Sequence, residues 1–287
     1  MPFLFVFLAL TQQSAAPQGL EARLRDTIGA SGAEVGVAYR TLDGTSGLLI
    51  DADKPFHAAS TMKIPVMIEL FRQARAGKIS LDDRLPIVNE FHSIVDGSTF
   101  KLSEGDDSDR EVHSAAGTTM TLGRLCELMI TVSSNFAANL LIEKLGVENI
   151  RKTVTALGAT GMQVLRGVED QKAFDKGLNN STTARGLLVL LDRIAHGKAV
   201  DRAADDEMLA ILGRQQFNDA IPAGLPAGTA VAHKTGTITR IHHDAAIVYA
   251  PRPYVLVVLV RGLDDQKKAS ALIADISKQV FEANGGR

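Results

Sequence analysis

The chain has 287 residues, 45% apolar and 22% charged, with 31 Lys and Arg against 33 Asp and Glu for a net charge of -2. That length and apolar content suffice to bury a sizeable core, as one large domain or two modest ones, which excludes a disordered or fibrous chain. The balanced charge, with no long run of one sign, offers nothing to recruit nucleic acid or an anionic membrane, and the single Cys126 cannot form an internal disulfide.

Residues Pro2 to Leu10 are an apolar run followed by Ser14-Ala15-Ala16, the small-residue pattern a signal peptidase accepts. Residues 1–16 are therefore read as an export signal, although no Lys or Arg precedes the run, and the mature chain is expected to begin between Ala16 and Gln18. The run is far short of the ~20 apolar residues that span a bilayer, so no stable membrane anchor is expected. Periplasm and exterior fit this signal equally.

Leu20, Leu24 and Ile28 recur every fourth residue and stop at Gly32, which predicts a helix with a glycine terminator. Glu34 to Arg40 and Ser46 to Ile50, around Leu42-Asp43-Gly44-Thr45, predict a hairpin. From Ser60 to about Arg202 the chain reads as helices without an intervening strand: Thr61 to Ala76, Leu122 to Val132, Phe136 to Leu145, Val147 to Leu157 and Thr182 to His196. Cys126 falls in one of these apolar stretches and is expected to be a buried structural thiol. Asp96 to Gly117 is polar; its Asp106-Asp107-Ser108-Asp109 lacks the spacing and final Glu of an EF-hand and reads as a solvated loop. Strands return at Ala230 to Thr235, His243 to Tyr249 and Tyr254 to Val260, before a helix with Leu272, Ile273, Ile276 and Val280 on one face. Strands at both ends and helices between them predict an α/β (α+β) class fold: a discontinuous α/β domain, 17–58 with 205–287, and an all-helical domain, 59–204, inserted in it. The junction of the two is where a cleft is expected.

Ser60 and Lys63, in His57-Ala58-Ala59-Ser60-Thr61-Met62-Lys63, lie at the start of an apolar-periodic helix and share a face. A serine hydroxyl becomes a nucleophile when a neighbour takes its proton, and lysine can do so if burial or another cation lowers its pKa. Alone, the pair is as well explained by Ser60 capping the helix with Lys63 in solvent. It is accompanied, in order, by Ser133-Ser134-Asn135 between two helices and by Lys234-Thr235-Gly236-Thr237 at the end of an apolar strand.

The set SxxK, SxN and KTG resembles that of the serine β-lactamase and penicillin-binding-protein superfamily, and the chain is most similar to its class A β-lactamases over nearly all of its mature length. The likeness includes Asn180-Ser181-Thr182-Thr183-Ala184, Ile221-Pro222-Ala223-Gly224-Leu225-Pro226 and a Glu where the family has its Ω-loop. The resemblance implies a mainly antiparallel sheet flanked by helices, a small-molecule β-lactam substrate, a monomer, and no metal or organic cofactor. It implies that Ser60 is acylated, with its own N–H and that of Thr237 as the oxyanion donors. Lys63 is placed in the proton path to Ser60, Ser133 as proton donor to the departing nitrogen, and Lys234 beside it. Asn135 is placed on the substrate's side-chain amide, the Thr235 and Thr237 hydroxyls on its carboxylate, and Gly236 where the strand edge must approach closely. Glu169 is the candidate for directing the deacylating water; whether Lys63 or Glu169 is the acylation base is left open.

Several positions depart from the family's pattern. Ser134 stands where class A enzymes have Asp, and Ala173 where they have an Asn that helps hold the water. Gln171, Asn179 or Asn180 could take over that task, in a loop about one residue short that shows no clear ion-pair partner for Arg166. Met67 stands where the family commonly has a cysteine to pair with the one at Cys126. Phe91, His92 or Phe100 are candidates for the aromatic at the cleft mouth. His242-His243-Asp244 has metal-ligand residue types, but adjacent strand side chains point to opposite faces, which argues against zinc. For the same reason His233 is expected to face away from Lys234, and Arg240 is read either as a substrate contact or as solvated. The alternatives to a β-lactamase are a D-alanyl-D-alanine peptidase or esterase using the same serine, and a penicillin-binding or sensing protein that deacylates slowly.

Overall fold

A computed structural model describes residues 16–286, so the expected signal segment, apart from Ala16, lies outside the described residues. Helix α1 (Leu20–Ser31) buries Leu20 and Leu24 and stops where Gly32 adopts a left-handed φ of 67°. The expected hairpin follows as β1 (Glu34–Thr41) and β2 (Gly47–Ile50). Helices α2 (Lys63–Arg75), α3 (Leu122–Thr131), α4 (Asn135–Leu145), α5 (Val147–Leu157) and α6 (Ala184–Ala195) occupy the expected segments, with ends within about two residues of those read from periodicity. Helix α7 (Arg202–Leu212) continues beyond them. Strands β3 (Val231–Ile238), β4 (Ile241–Val248) and β5 (Tyr254–Arg261) and helix α8 (Gln266–Ala283) complete the order.

The five strands form one antiparallel sheet in the order β2-β1-β5-β4-β3. The N-terminal hairpin joins the C-terminal strands because β1 pairs with β5 along its length, from Glu34↔Arg261 to Thr41↔Tyr254. Strand β5 is central and apolar at nearly every position for a physical reason: both of its faces are covered. Leu256, Val258 and Val260 pack with α1 and α8 residues such as Leu24, Ile273 and Ile276, while Val255, Val257 and Leu259 pack into the core of α2 to α6. The antiparallel sheet with helices on both faces is the fold class expected.

Two expectations are corrected. Short ladders do occur within the helical stretch: Phe56–His57 pairs with Ser181–Thr182, Arg84–Pro86 with Thr119–Thr121, and Phe91–His92 with Thr99–Phe100. Two or three residues are too few for a period of two to register. The run Asp106 to Asp109 is not simply solvated, because Asp107 and Asp109 are buried and accept backbone N–H groups. Among the described residues no helix is long and apolar enough to cross a membrane.

Candidate active site

Ser60 lies in a tight 3-10 turn, Ala59–Met62, that leads into α2, and not in the α-helix proper. The turn is tied on both sides: Ala58 O accepts the Thr61 N–H and hydroxyl, and the Ala58 N–H donates 2.8 Å to Asn180 O. Strand β3 presses against it. A Cβ on Gly236 would sit 3.1 Å from both Ser60 N and Thr61 N, so the close approach expected at this glycine is to the turn that carries Ser60. Ala59, Ser133 and Glu169 all have left-handed φ, at 44°, 61° and 63°. Such conformations cost about 1–3 kcal/mol each in a non-glycine residue and persist where the surroundings enforce them.

Two lysines, both without solvent exposure, converge on Ser133. Lys63 Nζ donates to Ser133 O at 2.6 Å, Ser133 Oγ at 3.3 Å and Asn135 Oδ1 at 2.8 Å. Lys234 Nζ donates to Ser133 Oγ at 2.9 Å and Thr235 O at 2.9 Å. Burial lowers Lys63 to about 7, against the pull of the Asp107 and Glu169 carboxylates. Lys234 is lowered well below its ordinary value, by burial first and then by the Lys63 charge. One serine hydroxyl thus lies between two amines whose burial weakens their hold on a proton.

Glu169 reaches the same group from the opposite side, its Oε1 accepting from Asn135 Nδ2 at 2.8 Å. Asn135 therefore links Lys63 to Glu169 through its two amide atoms. Burial raises the Glu169 pKa, with Asp107 and Asp106 adding to the effect and Asn135 and Lys63 opposing it. Ser60, Asn135, Glu169 and Thr237 line one cleft of about 400 Å³, together with His57, Asn180 and Ile238. The buried Lys63 adjoins it through Asn135 and meets Lys234 at Ser133. The structure thus brings together the site residues that the sequence motifs single out.

The loop carrying Glu169 is held in ways the sequence did not show. Arg166, buried, donates to backbone and amide partners, Leu178 O, Gly167 O and Asn179 Oδ1, each at 2.9 Å, while the Asp170 carboxylate acts on it by charge alone. The residues suggested to stand in for the missing Asn are already engaged. Asn180 accepts from Leu165 N and Arg166 N and donates to Arg166 O, Asn179 holds Arg166, and Gln171 donates to Asp175. Ala173 is fully buried, its N–H taken by Asp170.

Phe91 and Phe100 do not flank the cleft; they pair with each other, and Phe91 packs on Phe136, in a separate cavity shared with His92. The aromatic at the cleft is Phe174, 46% exposed and edge-on to His57. It was missed because nothing in its polar local sequence marks it. Asp107 was missed too. It accepts the N–H groups of Asn135 and Phe136 at 2.9–3.1 Å, at the start of α4, while Ser134 caps Ala137 N from within the motif. A carboxylate from a distant loop so occupies the helix start where the motif itself has serine.

His242 and His243 point to opposite faces, as strand alternation requires: His242 to Thr237 and Ser270, His243 to His57 O and Val260 N. His233 turns from Lys234 to Asp244 and Asn218. Arg240 is exposed and pairs with Asp264 at 3.2 Å. Cys126 is fully buried, and burial pushes its thiol up to about 12.

The sequence pattern of the Beta-lactamase enzyme family matches residues 19–283. A beta-lactamase of Streptomyces albus G is 27% identical over 281 residues, 95% of this chain and 87% of that protein. Among solved structures, an ancestral class A beta-lactamase superposes with a TM-score of 0.80 at 26% identity, covering 92% of this chain and 99% of that one. A variant of PBP-A, solved as its acyl-enzyme complex with penicillin G, does so with 0.80 at 25%, covering 94% and 97%. With the motif residues gathered around one cleft and nearly the whole chain matched, this protein belongs to the beta-lactamase enzyme family of the serine β-lactamase superfamily.

Proposed function

We propose that the protein is a class A β-lactam hydrolase acting through an acyl-enzyme on Ser60. The observation that carries this reading is Ser133 Oγ between Lys63 Nζ and Lys234 Nζ, beside a cleft that also holds Ser60 and Glu169. Neutral Lys63 takes the Ser60 proton as Oγ bonds to the lactam carbonyl carbon, with the Ser60 and Thr237 N–H groups as oxyanion donors. The C–N bond then breaks, Ser133 Oγ gives its proton to the departing nitrogen, and the two lysines resupply Ser133. Thr235 and Thr237 face the substrate carboxylate, and Asn135 its side-chain amide. In deacylation Glu169 takes a proton from water, the hydroxide adds to the ester, and Ser60 regains its proton as the ring-opened acid leaves.

The same proposal includes export of the chain to the periplasm or exterior by residues 1–16, a monomeric mature protein without cofactor, and the domain division 17–58 with 205–287 around 59–204. Ala173, with Gln171, Asn179 and Asn180 already engaged, favours a second reading, in which the chain acylates and hydrolyses the ester slowly. Time-resolved intact-protein mass spectrometry with benzylpenicillin separates the two. A transient adduct on Ser60 is expected, and Glu169→Gln should make it persistent, with deacylation slowed by about 10²- to 10⁴-fold. A persistent adduct on the wild type establishes the slow reading. Turnover unaffected by Glu169→Gln points instead to peptidase or esterase chemistry.

A further inference from the structure

A line of side chains carries hydrogen bonds from the cleft edge into the layer under α8. Thr237 Oγ1 is 2.8 Å from His242 Nδ1, across the β3–β4 ladder in which the two residues are register partners. His242 Nε2 is 3.1 Å from Ser270 Oγ, and Ser270 Oγ donates to Asp219 Oδ2 at 2.5 Å. The direction of every bond follows from the far end. A carboxylate only accepts, so the Ser270 proton lies toward Asp219. Ser270 then meets His242 as an acceptor, which requires a proton on Nε2. A neutral imidazole with its proton on Nε2 has only a lone pair at Nδ1. The Thr237 hydroxyl must therefore donate to His242, and what it leaves toward the cleft is lone pairs. A substrate carboxylate needs a donor there.

We propose that His242 is a positioning residue that sets the polarity of the Thr237 hydroxyl. Neutral His242 holds the Thr237 proton away from the cleft; protonated His242 donates Nδ1–H to Thr237 and frees that proton for a substrate carboxylate. The inference rests on the reading of the cleft as a β-lactam site. No covalent step is involved: the added proton comes from solvent, which reaches the ring through a cavity of about 310 Å³ lined by His242, Arg240 and Asp264. Asp219 and Asp244 face the ring and favour its cation, burial opposes it and keeps the pKa below the ordinary histidine value, and Arg240 is held by Asp264 at the cavity rim. His243 points to the other face of the sheet and Lys267, next to Asp265 at the start of α8, is exposed.

The test compares second-order acylation rates for a cephalosporin and for its methyl ester, so that only carboxylate recognition is read and deacylation does not enter. In the wild type the acid-to-ester ratio should rise about tenfold, the worth of one charge-assisted hydrogen bond, as pH is lowered below the ordinary histidine value of 6.5 until the ring is protonated. His242→Phe should hold the ratio high and flat, because Thr237 keeps its proton free at every pH; Thr237→Val should hold it low and flat. Nitrogen-15 shifts of histidine-labelled protein should show His242 protonated on Nε2 at neutral pH, whatever the activity. A flat wild-type ratio, or a proton on Nδ1 in the neutral ring, overturns the proposal. Failure of every β-lactam to acylate overturns the reading of the cleft and the carboxylate role with it, and the nitrogen shifts still report the direction of the Thr237 bond.

Discussion

The reacting groups depend on burial more than on identity. A solvated lysine at the Lys63 position would hold its proton far above neutral pH and could not take one from Ser60; burial, which lowers it to about 7, makes the neutral amine accessible near that pH. Acylation measured by stopped flow in the Glu169→Gln background, where Lys63 alone titrates between these groups, should rise with pH and level off, with a midpoint near 7. Lys63→Arg, which keeps the charge and cannot shed it, should lose acylation by about 10²- to 10⁴-fold at every pH. A pH-independent rate in that background would remove Lys63 from the role of base. The residues in this network were legible as motifs, because SxxK, SxN and KTG are contiguous strings. Glu169 was legible by position along the chain, whereas Asp107 and Phe174 were not, since each reaches the site from a loop with no pattern of its own.

Elements decide how firmly those residues are held. Helix α4 begins at Asn135, the amide that joins Lys63 to Glu169, and the first N–H groups of a helix have no partner inside it. Asp107 supplies them from a segment that reads as solvent-exposed, and its own neighbour Asp109 does the same for the short turn Glu111–Ser114. Asp107→Ala should cost about 1–3 kcal/mol of stability and also slow acylation, through the loosened Asn135. Asp109→Ala should lower stability with a smaller effect on acylation, since the turn it holds reaches α4 through His113 against Asp107 and Phe136, and Asp107 itself remains. Urea denaturation alongside the acylation rate checks both, and equal acylation in the two variants would show that α4 positions Asn135 without help from Asp107. Strand β3 shows the same dependence on context: its last residues Gly236 to Ile238 do not extend the apolar run that marks its start, yet they pair with β4 through Ile238↔Ile241.

At the scale of the whole molecule, the buried lysine pair beside the cleft is a liability to the fold. Lys63 and Lys234 hold few protons in the native protein in a pH range where the unfolded chain holds both, so the unfolded state binds more protons and stability rises with pH. For Lys63 that window runs from about 7 up to its ordinary value of 10.5. Buried Tyr39 and Tyr254, whose pKa values are raised, reverse the trend above about pH 10, where the unfolded tyrosines ionise first. Urea midpoints should therefore climb from about pH 7 to about 9 and fall beyond 10. Lys63→Met should raise the midpoint at pH 7 and flatten the climb; an unchanged slope would mean that burial of this amine is not its source.

The sequence by itself determined the helices, the principal strands and the three motifs, because periodicity and short strings are local properties written in consecutive residues. It also pointed to one sheet shared by strands from both termini, since those strands flank a single long helical stretch. Only the tertiary structure decided what each polar group meets. Arg166 found carbonyls and an amide oxygen, Asp107 found the start of α4, Phe174 took the cleft mouth, and Thr237 found a histidine whose further partner, Ser270, lies on α8 and is bound in turn to Asp219 between α7 and β3. Hydrogen-bond partners separated by tens of residues leave no trace in a periodic pattern, and burial, which sets the proton affinity of Lys63, is a property of the packed molecule and not of the lysine.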